Sequence, residues 1–477
     1  MRLIDSLATT VPLAEIFSDD SLLQAMLEFE VALARVEGRL NIIPQSAAKA
    51  IAQAAKPGSF NAAAIAEQTF KAGTPAIPLL KELTARVRAN AGAAGGFVHW
   101  GATSQDVCDT ALVLLLKKAQ PVIESDLERL EQALLRISEQ HAKTVMVGRT
   151  LLQAAPPTTF GVKAAGWFAA IRRGKRRVNA SFKEALVLQF GGASGTLAAF
   201  GNQGMQVGQA LAQELHLEYP EAPWHTHRDR LAALVCACGV LTGSLGKMAR
   251  DISLLMQTEI AEVMEPSGAN RGSSSTMPHK QNPVGCIATL AAAVRVPALV
   301  SSFLSAMVQE HERALGGWQA EWPVISGVIQ ATGLASSAMA EVAKGLAVNA
   351  AQMRANIAGN EAVFAERVVM LLGKKLGKDV VHKLLEEAMR KSREQKLKLR
   401  EVLAQVPEIK ENLDTDTLRE IAEPEQYLGA AEEFREGLLG GLRGTQQRKS
   451  HRRASTKKQN LTTEITEEHR RNQKKRP

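Results

Sequence analysis

The segment Ala288–Met307 is long, rich in small residues and apolar nearly all the way round a helix. A helix apolar on every side is buried among other helices, so a chain that carries one is built around a helical bundle. Two other stretches show the narrower seam of packed helices. In Ile123–Gln140 the apolar positions are Ile123, Leu127, Leu130, Leu134 and Ile137, with charged and amide side chains on the other faces. Gly243–Val263 repeats the spacing with Leu245, Met248, Ile252, Leu255 and Val263. Together they predict an all-α protein whose outer helix faces also pack, as they would in an oligomer. The most apolar runs, such as Ala288–Val294, are too short to cross a bilayer, so no membrane partner is expected. Strand signals are few, and Val187–Phe190, running into Gly191-Gly192-Ala193-Ser194-Gly195, is the best of them. That glycine spacing fits neither a dinucleotide fingerprint nor a P-loop and lacks a βαβ setting, which favours a tight turn over a phosphate cradle.

Four segments follow in order. Residues 1–110 mix helices with Gly- and Pro-bearing turns, 111–354 hold the long helices, 355–444 form a smaller and more charged helical segment, and 445–477 are a basic tail. Eleven of the 58 Lys/Arg but only three of the 49 Asp/Glu lie in that tail, so it carries almost all of the net +9. The body is nearly neutral, which argues against a nucleic-acid-binding surface there. The tail is expected to be disordered, a solvated basic segment with weak polyanion binding as its functional alternative. The four cysteines exclude a disulfide scaffold and fit a reducing cytoplasm. Met1 to Asp19 has no apolar stretch of the signal-peptide kind, so the protein is expected to be cytoplasmic. Cys236 and Cys238 form C-x-C with no second pair, and His225 and His227 form H-x-H with no third ligand in view; neither makes a metal site on its own.

The chemistry is concentrated in Gly272 to Pro283, GSSSTMPHKQNP. As composition alone this is a polar loop between two helices. Hydroxyls, an ammonium and an amide within a few residues can also close over a carboxylate, with Lys280 supplying charge and Asn282 and the hydroxyls hydrogen bonds. Gly268 and Gly272 are candidate hinges of such a lid.

The run Ser274-Ser275-Thr276-Met277-Pro278-His279-Lys280-Gln281-Asn282-Pro283 resembles the S-S-x-M-P-x-K-x-N-P signature of the fumarase/aspartase superfamily. Gly101 to Asp106 (GATSQD) and Gly148 to Gln153 (GRTLLQ) resemble its first and second regions, and the likeness covers about residues 1–440. The nearest resemblance is to the bacterial 3-carboxy-cis,cis-muconate cycloisomerases, supported by LQFGGASG (188–195), PWHTHRDR (223–230), GKMARDISLLMQTE (246–259) and QEHER (309–313). The resemblance implies an all-α homotetramer with a twenty-helix core, active sites shared between subunits, a polycarboxylate substrate, and no metal or organic cofactor. It implies Ser274 as general base and Lys280 and Asn282 as holders of a substrate carboxylate. Thr103, Ser104, His99, Arg149, Thr150, Gln153, Gln257 and Ser275 fall at positions expected to contact substrate. On residues alone, Gln257 fits equally a polar layer inside a helix bundle, and His311 a helix end or an intersubunit contact.

The departures are informative. The superfamily carries R-T-H where this chain has Arg149-Thr150-Leu151, cycloisomerases carry Trp and then L-Q-H where Leu151 and Gln153-Ala154 stand, and Gly285-Cys286-Ile287 lacks the glutamate of G-S-E. Ammonia, amines and water leave poorly without a general acid. A carboxylate, with a pKa near 4, leaves without one. Loss of the acid pair therefore fits lactone chemistry, in which the ring oxygen leaves as a carboxylate, or release of another stable anion such as nitrite.

Overall fold

A computed structural model describes residues 3–440 apart from residues 57, 269, 270, 275 and 278. Ser275 and the tail 445–477 therefore lie outside the described residues. The described chain forms two compact units that cut across the sequence segments. The first takes the residues up to Glu131 together with Ile171–Gln257 and Met264–Ala347; the second takes Gln132–Ala170, Thr258–Val263 and the described residues from Val348 onward.

The expected all-α architecture is what folds. The elements that position the site are helices α1 (Asp19–Arg39) and α2 (Ser104–Gln140), strands β1 (Val145–Thr150) and β2 (Gln153–Thr159), and helices α3 (Asp229–Leu255), α4 (Val284–Ala306) and α5 (Gly317–Lys344). The seam read in Ile123–Gln140 is the buried face of α2, where Ile123, Leu127, Leu130, Leu134 and Ile137 are almost wholly covered. Helices α3, α4 and α5 pack on one another through small residues. A Cβ on Gly246 would stand 2.6 Å from that of Ala293, so α3 and α4 meet nearly backbone to backbone.

Two sequence expectations, the end of α3 and the strand at Val187–Phe190, need correction, while the all-round apolar α4 shows which of its faces a single copy covers. Helix α3 stops at Leu255 rather than running to Val263. A continued helix would carry Glu262, seven residues on, onto the apolar face of Leu255, whereas the turned chain gives that carboxylate a guanidinium partner. Helix α4 buries one face only within the protomer: Ile287, Val294 and Leu304 stay 46%, 78% and 44% exposed. Val187–Phe190 is no strand, making a single parallel bridge from Val187 to Glu218. The Leu188 N–H donates to the Glu218 carbonyl, while the carbonyls beyond are met by side chains: Thr110 Oγ1 donates to that of Gln189 and Trp224 Nε1 to that of Leu188. The main pairing is β1 with β2, an antiparallel hairpin in register Arg149↔Ala154 and Thr150↔Gln153. In the second unit Val145 and Val147 of β1 share a core with Phe364, Val368, Leu372, Leu385 and Leu399.

Helix α1 is capped by Ser18, whose hydroxyl accepts the Ser21 N–H. Its buried face includes two acids, Glu30 and Glu37, each 1% exposed. Neither carboxyl oxygen of Glu37 has a hydrogen-bond partner among the described residues. Burial, reinforced by the charge of Glu30, pushes the Glu37 carboxyl up to about 9, so it stays protonated at neutral pH. A pKa raised on folding stabilises below the unfolded value and loses that contribution as pH rises toward the folded one. Wild type is expected to lose stability relative to Glu37→Gln between about pH 4.5 and 9, by up to about 1.4 kcal/mol per pH unit. Melting curves of both proteins across that range check this, and parallel profiles would refute it.

Candidate active site

The first-region turn is organised by Asp106. Its fully buried carboxylate accepts the backbone N–H groups of Thr103 (3.0 Å), Gly191 (3.0 Å) and Gly192 (2.9 Å), and Nε2 of His225 lies 2.7 Å away. One acid thus ties Thr103, the glycine turn after Phe190 and the His225 segment into one frame. Arg313 closes it from the other side, donating to Thr103 Oγ1 at 2.8 Å and to the Ala193 carbonyl at 2.9 Å. Ser104 opens α2 beside Thr103. His99 precedes the turn in a left-handed conformation (φ 59°), its Nδ1 2.7 Å from Glu30 Oε1. Burial works against charge on that ring, but the Glu30 and Asp106 carboxylates outweigh it and hold His99 above its ordinary pKa.

One helical turn beyond Asp106, Asp109 takes two N–H groups of Arg228 at 2.7 and 3.1 Å, and Arg228 turns its Nε and other Nη face to Glu321. Trp318 Nε1 and Gln105 Nε2 also donate to Asp109, and Gln309 donates to Glu321. Burial pushes the Glu321 carboxyl up to about 7, with Arg228 opposing and Asp109 adding to the rise. None of Asp109, Arg228, Glu321 or Arg313 is singled out as a site residue by sequence reasoning. They sit inside or beside the stretches that carry the resemblance, but which partner each meets is long-range.

The signature loop belongs to the same unit. Its stem pairs Ser273 with Gln281, and the Asn282 N–H donates to the Gly272 carbonyl at 2.8 Å. Gly272 has φ 68° and an added Cβ would stand 2.5 Å from the Asn282 oxygen, so only glycine fits this crossing. Ser274 Oγ accepts the backbone N–H groups of Met277 (3.0 Å) and Thr276 (3.3 Å), and Lys280 is exposed beyond. At the foot of the loop the Glu265 carboxylate accepts the N–H groups of Gly285 and Cys286, which anchors the first turn of α4 through its unpaired donors.

The remaining predicted residues lie elsewhere. Arg149 gives both Nη groups to Glu262, at 2.9 and 2.7 Å, so its charge is taken up within the second unit, where Asn356 Nδ2 joins the same carboxylate. Thr150 and Gln153 face each other, exposed, at the hairpin end. Gln257 is exposed in the turn after α3, not inside the helix. The structure therefore gathers His99, Thr103 and Ser104 in one turn and Ser274, Lys280 and Asn282 in one loop, and holds Arg149, Thr150 and Gln153 on a hairpin of the other unit.

A family model described as lyase matches residues 7–298, and one described as adenylosuccinate lyase C-terminus matches residues 361–437. The chain belongs to the fumarase/aspartase lyase superfamily. Among the similar proteins of this superfamily is a 3-carboxy-cis,cis-muconate cycloisomerase of Bradyrhizobium diazoefficiens, 45% identical over 89% of this chain and 94% of that one. The crystal structure of the 3-carboxy-cis,cis-muconate lactonizing enzyme of Pseudomonas putida matches with a TM-score of 0.86 at 43% identity, covering 92% of this chain and 98% of that one. A nitrosuccinate lyase of Streptomyces davaonensis is 38% identical over 92% of this chain and 94% of that one.

In this superfamily member the buried cation between two acids has a direct consequence. Arg228→Met leaves Asp109 and Glu321 desolvated without their partner and is expected to cost about 3–5 kcal/mol. Denaturant unfolding measures it; a loss below about 1 kcal/mol would show the triad to be dispensable.

Proposed function

We propose that the protein is a 3-carboxy-cis,cis-muconate cycloisomerase that closes its substrate to 4-carboxymuconolactone with Ser274 as the proton-transferring group. The observation that carries this reading is the setting of Ser274: its Oγ accepts two backbone N–H groups inside a loop that also bears Lys280 and Asn282. A free serine hydroxyl is a poor base at neutral pH. Two N–H donors, joined by the ammonium of Lys280 if the loop closes over substrate, stabilise the alkoxide form, and they do so more strongly once a substrate excludes water. In the lactonising direction a carboxylate oxygen of the substrate adds to a double bond while Ser274 returns a proton to the carbon beside another carboxylate. In reverse, Ser274 removes that proton and the ring oxygen leaves as a carboxylate.

The absence of a histidine at the hairpin tip agrees with this chemistry, because Leu151 and Leu152 cannot protonate a leaving group and a departing carboxylate needs no proton. The substrate carries three carboxylates at neutral pH, and Lys280 and Asn282 are assigned to hold one of them. The uncovered apolar face of α4 supports a homotetramer in which the long helices of four copies form the shared core and each site draws on several subunits. The reaction needs no redox partner, and we place it in the cytoplasm as a step of protocatechuate breakdown. A second reading, release of a stable anion from a substituted succinate, keeps the same base and loop and is favoured by the likeness to nitrosuccinate lyase.

Mixing the full chain with 3-carboxy-cis,cis-muconate and following loss of the diene absorbance separates the two. Wild type is expected to consume the diene, and Ser274→Ala to lose about 10²–10⁴-fold in kcat with its assembly state unchanged. Wild-type-like turnover by Ser274→Ala would remove the serine from the mechanism. Failure of wild type on the diene with turnover of a nitro-substituted succinate would select the second reading.

A further inference from the structure

His99 is held by more than a solvated contact. Its ring is 17% exposed, whereas the Glu30 carboxylate beside it is fully covered. Glu30 Oε1 lies 2.7 Å from Nδ1, and its second oxygen, Oε2, has no partner among the described residues. Behind it on the same helix, Glu37 remains a neutral acid, so the negative charge facing the ring from α1 is that of Glu30. From α2 the ring feels Asp106, whose carboxylate also holds the Thr103 N–H. A buried carboxylate with one unmet oxygen carries a desolvation cost, which the bond of Glu30 to His99 offsets only in part. The ring it holds sits at a left-handed residue four positions before Thr103, a backbone conformation uncommon outside glycine and maintained by its surroundings.

We propose that Glu30 is a positioning residue: it accepts the Nδ1–H of His99 and so fixes the ring, whose imidazolium form then offers its Nε2–H to a substrate carboxylate beside Thr103. This rests on the polycarboxylate reading of the site given above and adds the group that orients its histidine. Taking Nδ1–H as the bond to Glu30 leaves Nε2 as the ring nitrogen available to a ligand. With Glu30 ionised opposite it, the ring keeps its second proton further into the neutral range and presents a cation to an anionic substrate.

The test uses the full chain with ¹³C-labelled histidine, comparing wild type, Glu30→Gln and His99→Gln. The probe ligand is propane-1,2,3-tricarboxylate, and the substrate is 3-carboxy-cis,cis-muconate. In Glu30→Gln the His99 titration midpoint is expected to fall by about one pH unit or more. Affinity for the tricarboxylate at pH 7 is expected to weaken about tenfold, and KM to rise more than kcat falls. The basic limb of the kcat/KM profile should begin at lower pH, which a packing defect alone would not produce. An unchanged midpoint with unchanged affinity overturns the proposal. If Glu30→Gln does not fold, labelled wild type decides: a His99 midpoint no higher than that of free histidine overturns the proposal, and a raised midpoint that climbs further when the tricarboxylate binds upholds it. If wild type fails to consume the diene but binds the tricarboxylate in a manner dependent on Glu30 and His99, the lactonisation reading falls and the positioning role stands.

Discussion

The frame of the first unit depends on Arg228. This guanidinium is wholly buried at the start of α3 and bridges Asp109 of α2 and Glu321 of α5. Desolvating three charged groups is expensive, and their mutual attraction offsets the cost only because the geometry is bidentate and the outer lone pairs are met by Trp318, Gln105 and Gln309. An apolar trio of similar volume could hold the helices as tightly. What it could not do is fix which turn of α2 faces which turn of α3 and α5. Asp109 lies one helical turn from Asp106, so the same register that seats Arg228 also seats the hub that gathers Thr103, Gly191, Gly192 and His225.

The same economy runs through the unit: carboxylates are used to hold backbone in place. Asp106 takes three N–H groups of two turns, and Glu265 takes two at the head of α4. Such acids cannot be exchanged for apolar residues without leaving donors unmet, each worth about 1–3 kcal/mol when buried. The loop between Gly272 and Asn282 is closed by its own stem, Ser273 paired with Gln281 and the Asn282 N–H on the Gly272 carbonyl, so Ser274 and Lys280 sit on a short closed loop and not on a free chain.

How much of this could be read from the sequence differs by kind of interaction. Helix seams were legible because their signal is periodic and local: Leu127, Leu130 and Leu134 point the same way in any α-helix. The signature loop was legible because its residues are contiguous. Val187–Phe190 misled because a short apolar run has no period of its own, and here two of its carbonyls are satisfied by Thr110 and Trp224, both distant in the chain. The hairpin at Val145–Thr150 was missed for the complementary reason, since it is joined by two leucines where a turn normally announces itself with glycine or asparagine. Arg149 reads as an anion-binding residue until Glu262, more than a hundred positions away, is seen to occupy both of its Nη groups.

That hairpin tip carries the argument furthest toward the assembly. Leu151 and Leu152 have φ values of 51° and 65°, a conformation that disfavours side chains with a Cβ by about 1–2 kcal/mol per residue. They are also 97% and 77% exposed, so neither burial nor a local contact in the protomer repays the strain. Apolar surface displayed on a strained turn is retained where something outside the protomer covers it. The uncovered stripe of Ile287, Val294 and Leu304 on α4 poses the same question on the other unit. The homotetramer proposed above would answer both together: α4 would close on its copies to form the core, and the tip would be free to enter a neighbour's site as an apolar wall. A wall of leucine there holds substrate without offering a proton, which is sufficient when the departing group is already a stable anion.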